Sequence, residues 1–153
     1  MKNKGFSLME LLIVSLIIGI LVAVAIPNYS KSVERSRVTE ALTMLHSIYD
    51  SCERFAVQNS FDGCANAIGT VTFRKLDITA KGTFSTDGMT FTTANFEYTL
   101  ANPISATAIK GYYTGASITF DGRTFTCTNG TSGKATVACR DWGAGNNAAN
   151  WNN

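Results

Sequence analysis

From Leu11 to Ile26 every residue is apolar except Ser15, and Gly19 is the only one of poor helix propensity. The whole stretch from Phe6 to Ile26 holds 21 residues. At ~1.5 Å per residue, a helix of that length reaches roughly 30 Å, enough to cross the hydrocarbon core of a bilayer. A cleaved secretory signal is the plain alternative, and three features argue against it. No small-x-small cleavage site follows the run: Ala23 and Ala25 lie inside it, and Pro27, Asn28 and Tyr29 come next. The run also exceeds the usual ~7–15 residues of a signal's apolar region. Finally, Glu10 stands inside the segment, where an unpaired ion costs at least ~2.5 kcal/mol. Such a carboxylate needs a partner.

The residues before and around this run carry a resemblance. Lys2-Asn3-Lys4-Gly5 followed by Phe6-Ser7-Leu8-Met9-Glu10-Leu11-Leu12-Ile13-Val14 resembles the class III leader and mature start of type IV pilins and related pseudopilins. The motif is specific but covers only about the first thirty residues. The resemblance implies a leader at 1–5, removed by a membrane peptidase that cuts between Gly5 and Phe6 and methylates the new Phe6 amine. Physically, Gly5 offers no side chain to obstruct a peptidase, and Lys2 and Lys4 hold the leader on the cytoplasmic side. The resemblance further implies that 6–27 is a transmembrane helix that becomes the filament core. Glu10 matches the family's glutamate thought to pair with the N-terminal amine of a neighbouring subunit. The electrostatic case is independent of the family: opposite charges attract strongly in low dielectric, and each uncompensated one is penalised. Snorkelling of Glu10 to the interface is the simpler alternative. Gly19 and Pro27 match the family's helix glycine and proline. Proline removes a helix hydrogen bond and glycine costs about 1 kcal/mol of helix propensity, so the stretch between them is the weak one. In related filaments it is often unwound, and a simple kink is the alternative.

Beyond Pro27 the pattern turns amphipathic. Val38, Ala41, Leu42, Leu45, Ile48, Tyr49, Cys52, Phe55 and Ala56 recur at three- and four-residue spacing, a stripe that faces a core over 28–58. Lys31, Glu34, Arg35, Arg37, Glu40, Asp50, Glu53 and Arg54 form the other face, read as solvated or as subunit contacts, with Asp50 and Arg54 spaced to pair. From Thr70 onward lie 17 of the 19 threonines, interleaved with Phe, Val and Ile. Asp87-Gly88 and Asp121-Gly122 separate short alternating runs, as in hairpins. Strands are predicted near Val71 to Leu76, Thr83 to Ser85 with Met89 to Thr92, Phe96 to Ala101, Ser117 to Phe120 with Thr124 to Thr128, and Ala135 to Arg140. The expected fold is α+β: a long N-terminal helix, transmembrane in its first half and amphipathic in its second, packed on an antiparallel β-sheet head over 59–153. The four cysteines allow three pairings. The most local, Cys52 with Cys64 and Cys127 with Cys139, is preferred. In pilins a C-terminal disulfide often borders the variable surface, which the second pair resembles.

Composition narrows the function. Thirteen Lys and Arg face 11 Asp and Glu; without Lys2 and Lys4 the balance is even, unlike a general nucleic-acid binder. His46 is the sole histidine, and no metal site, cofactor or nucleophile-base-acid set can be assembled. The chain is therefore read as a structural subunit and not an enzyme. It is expected to be a single-pass inner-membrane protein that then polymerises with itself into an extracellular pilus for adhesion or motility, with a prepilin peptidase and assembly machinery as partners. A type II secretion pseudopilin is the second reading. Many major pseudopilins carry an acidic calcium-binding C-terminal loop, whereas only Asp141 lies beyond Asp121 here. A minor pilin that binds DNA or a host ligand is the third, through Arg123, Lys134, Arg140 and Trp142. The Asn-rich tail from Arg140 to Asn153 is either docked or disordered, with Trp142 either exposed or covering the sheet. Asn129-Gly130-Thr131 is read as a turn rather than a glycosylation site.

Overall fold

A computed structural model describes residues 6–144. The chain divides into two compact units, Met1–Val33 and Glu34–Asn153.

One helix, α1 (Leu8–Gln58), runs for 51 residues. In the second unit it turns Val38, Ala41, Leu45, Ile48, Cys52 and Ala56 fully inward, with Leu42, Tyr49 and Phe55 half-buried beside them. Alternating steps of three and four keep these positions on one face of a 3.6-residue helix. The helix ends by satisfying its last carbonyls. Phe61 N–H donates to Ala56 O (2.9 Å) and Ser60 N–H to Val57 O (3.4 Å). Ser60 takes the left-handed conformation, φ 62°, in the position that glycine usually fills in this C-terminal motif. The short helix α2 (Cys64–Ala67) follows, bonded back to α1 by a Cys52–Cys64 disulfide with Cα atoms 5.2 Å apart.

Six strands form an antiparallel meander in sequence order: β1 (Thr83–Phe84), β2 (Thr90–Thr92), β3 (Phe96–Thr99), β4 (Ile104–Ala108), β5 (Ser117–Phe120) and β6 (Phe125–Thr128). Register places Phe84, Phe91, Tyr98, Ala106, Ile118 and Cys127 in one row across it. From Phe91 onward that row is buried, because side chains of one parity share one face of a strand. The second half of α1 covers this face: the His46 ring lies 4.5 Å from that of Phe120, and Tyr49 packs edge-on against Phe120 at 5.3 Å. The α+β architecture is thus the expected one.

Three local readings need correction. Val71 to Leu76 is not a strand: Phe73–Lys75 is a 3-10 turn. Val71, Phe73 and Leu76 do point inward, but Lys75 N–H bonds to Thr72 O and Leu76 N–H to Phe73 O, the short-range bonds of a turn. Ala135 to Arg140 is not a strand either, but a 3-10 helix (Gly133–Val137) leading into α3 (Ala138–Trp142). Its inward residues are Ala135, Ala138, Cys139 and Trp142, a three-and-four spacing that belongs to a helix. Strand β4 was missed because Ile104-Ser105-Ala106-Thr107-Ala108 is dominated by alanine and small polar residues, which carry little strand signal.

Two charge assignments also change. Glu34 is not solvated but 5% exposed. Arg54 reaches Asp77 (3.0 Å), not Asp50.

Candidate functional site

The N-terminal helix is long and apolar enough to cross a membrane. Ser7 caps it: Ser7 Oγ accepts from Met9 N–H (3.3 Å), while Glu10 Oε2 accepts from Ser7 N–H (2.9 Å). Ser7-Leu8-Met9-Glu10 is therefore a reciprocal capping box, a signal readable in Ser-x-x-Glu that the sequence reading passed over. From Leu8 to Ile26 the side chains lie open along the helix, Leu8 at 80% and Ile20 at 60% exposure. A continuous apolar surface of this size marks a lipid or protein interface. The few polar groups along it turn back on their own helix. Ser15 Oγ donates to Leu12 O (2.9 Å), Asn28 Nδ2 to Val24 O (3.3 Å) and Ser30 Oγ to Ile26 O (3.2 Å). Backbone and hydroxyl groups satisfied within the segment are what a low-dielectric environment demands.

The structure places the sequence-predicted residues of this segment as follows. Glu10 sits in the first turn of α1. One of its oxygens serves the cap, and an ionised carboxylate has further lone pairs for a second donor. Gly19 has open space around it, with no atom within 4 Å of an added Cβ. The helix runs unbroken through Gly19 and position 27. Gly5, on the leader side of the expected cut, lies outside the described residues, while Phe6 is 80% exposed.

His46 packs between Phe120 and Phe125, and among the described residues no three His, Cys, Asp or Glu side chains gather as metal ligands. An open groove of about 730 Å³ is walled by Glu40, Met44, Lys81 and Thr92 among others. Trp142 is buried against Tyr113, ring centres 5.7 Å apart, so it covers the sheet and is not a free ligand platform. Trp151 lies outside the described residues. Asn129 Oδ1 accepts from Cys139 N–H (2.8 Å), next to the Cys127–Cys139 disulfide. Burial and the adjoining Asp141, which accepts from its hydroxyl at 2.7 Å, push the Tyr113 phenol above its ordinary range.

With this geometry in view, the class of the segment is plain: residues 1–26 match the prokaryotic N-terminal methylation motif. The chain is similar to the type IV major pilin protein PilA of Myxococcus xanthus, 45% identical over 69 residues that cover 44% of this chain and 31% of that protein. It is also 48% identical over 49 residues to a fimbrial protein of Moraxella nonliquefaciens, covering 32% of each. The type IV major fimbrial protein FimA of Dichelobacter nodosus is 51% identical over 41 residues, 27% of this chain and 26% of that one. The match thus spans about a third or less of these relatives' length. No solved structure matches the chain.

Proposed function

We propose that the chain is a pilin, a structural subunit that polymerises through its N-terminal helix into an extracellular type IV pilus. The observation that carries this reading is a methylation-motif helix whose apolar residues are exposed from Leu8 to Ile26, with one carboxylate, Glu10, at its start. Left in water, each Leu, Ile or Val of that surface forgoes about 1.5–3 kcal/mol of burial. A bilayer supplies that burial first, and a bundle of identical helices supplies it afterwards. Before assembly the segment 6–27 anchors the chain in the inner membrane, with Lys2 and Lys4 on the cytoplasmic side. A prepilin peptidase cuts between Gly5 and Phe6 and methylates Phe6. On leaving the bilayer, the subunit gains most where Glu10 meets a neighbour's Phe6 ammonium, so the charge pair selects the register of addition. Gly19 and Pro27 mark where the helix yields when subunits pack. The similarity to pilins and fimbrial proteins supports this reading.

The test is electron microscopy of cells with and without the gene, together with the intact mass of the subunit. Long surface fibres that vanish with the gene, built of a chain beginning at methylated Phe6, are the expected result. Cells that make no fibre and secrete less protein without the gene would favour the pseudopilin reading instead.

A further inference from the structure

We propose that the end of the head where α1 enters it is a docking surface for the anionic headgroups of the bilayer that holds the helix. The inference rests on the membrane-anchored reading above and adds to it an electrostatic seat for the unassembled head.

The even balance of charge beyond Lys4 conceals a local excess. Glu34 Oε1 accepts from Arg37 Nη1 (2.6 Å) and from Tyr112 N–H (3.3 Å), which clamps the loop from Lys110 to Gly115 onto the first turn of the head's helix. Arg35 Nε donates to Asp141 O (2.9 Å) and Arg140 Nε to Asp141 Oδ1 (3.3 Å), which brings α3 to the same place. Lys134 Nζ lies 3.9 Å from the centre of the Tyr112 ring. The two carboxylates in this assembly are withdrawn, Glu34 at 5% exposure and the Asp141 side chain at 15%. The cations are not: Arg35, Lys110, Lys134 and Arg140 are exposed and Arg37 partly so. The next carboxylate along α1, Glu40, is a turn and a half farther from the apolar segment.

Two observations favour a bilayer as the occupant. Arg35 is nine residues beyond Ile26. Even a fully extended chain of that length spans only about 30 Å, so the patch stays close to the headgroups whenever the apolar segment is inserted. Tyr112, 46% exposed under the Lys134 ammonium, is the amphipathic ring that suits a headgroup layer. With a balanced charge beyond Lys4 the chain has little long-range attraction for free nucleic acid. A tether makes a local patch sufficient, because it supplies the effective concentration.

The experiment uses the full chain in nanodiscs of phosphatidylcholine, alone or mixed with phosphatidylglycerol, with a photo-reactive benzoylphenylalanine replacing Tyr112. The expected result is a lipid adduct in the anionic discs, suppressed by high salt. It should also be lost in Lys110→Gln/Lys134→Gln/Arg140→Gln, and kept in the control Arg74→Gln/Lys75→Gln/Lys81→Gln. Each cation near such a surface strengthens attachment about fivefold, so removing three should weaken it by on the order of a hundredfold. The salt series needs no variant and stands even if the triple replacement perturbs folding. Equal adduct yields in the two lipids would overturn the proposal, as would adducts to a second copy or to added duplex DNA in place of lipid. A chain that fails to co-elute with the discs would overturn the anchored reading and this one with it.

Discussion

At the scale of single residues, the account depends on side chains whose surroundings leave them little choice. Gly122 holds φ 95°, and an added Cβ would collide with the Tyr49 ring. Left-handed backbone alone costs an ordinary residue about 1–2 kcal/mol, and the ring must also move from its place against Phe120. Gly122→Ala is therefore expected to destabilise the full chain in detergent by more than that backbone cost alone, read as a lower urea midpoint. A midpoint within error of wild type would show that the turn relaxes freely. Glu34 is the residue that sequence reasoning placed wrongly. Its carboxylate reads as solvated, yet it stands four residues before Val38, in line with the buried stripe, and the loop carrying Tyr112 closes over it. Glu34→Ala leaves the Tyr112 N–H and the Arg37 guanidinium without their acceptor. A loss of about 1–3 kcal/mol follows for a hydrogen-bonded group so deprived, with Glu34→Gln milder because its amide oxygen still accepts. Equal stability of the two variants in denaturant titrations would contradict this.

At the scale of elements, the β5–β6 turn has a pH signature. Asp121 accepts from Thr124 N–H (2.7 Å), Arg123 N–H (2.8 Å) and Thr124 Oγ1 (2.8 Å). These bonds, Thr124's first, hold its carboxyl below the ordinary value of 3.8. A carboxyl depressed in the folded state adds stability that is complete above its unfolded pKa and is lost as pH falls through the folded one. The wild type should therefore lose its advantage over Asp121→Asn as pH drops below about 4, and keep it unchanged at neutral pH. A pH-independent difference in denaturation midpoint would refute the assignment. The disulfide between β6 and α3 closes a loop of twelve positions. Cys127→Ala/Cys139→Ala should cost about 2–4 kcal/mol and should speed hydrogen exchange in α3 more than in α1.

This is also the scale at which sequence legibility divides. The buried stripe of α1 and the Asp-Gly hairpins could be read directly, because helix period and turn chemistry are local properties of consecutive residues. The 3-10 turn at Phe73 could not: Val71 and Phe73 stand two apart as in a strand, yet Phe73 N–H bonds to Gly88 O (2.8 Å), a partner set by tertiary contact. Strand β4 is held by neighbours on both sides rather than by its own propensity. The helical spacing of Ala135, Ala138, Cys139 and Trp142 is visible in the sequence and departs from the period of two in the strands before it.

At the scale of the whole molecule, the chain combines a head with its own buried core and an apolar helix that has none. The first needs no partner to bury its stripe. The second exposes its apolar side chains, and the match to the methylation motif lies in this part of the chain. The central claim is that Glu10 serves assembly through its charge. The capping box sets a rival role for the same residue, since a carboxylate that only caps Ser7 N–H would stabilise the helix start without reference to a neighbour. Glu10→Gln separates the two: the amide still caps, but it cannot neutralise an incoming ammonium. The measurement is the yield of sheared surface fibre from Glu10→Gln cells at equal membrane levels of subunit cleaved after Gly5. The account predicts normal insertion and cleavage with fibre reduced at least about tenfold, as one buried unpaired charge of several kcal/mol requires. Wild-type fibre yield from Glu10→Gln would contradict it and leave Glu10 as a helix cap alone.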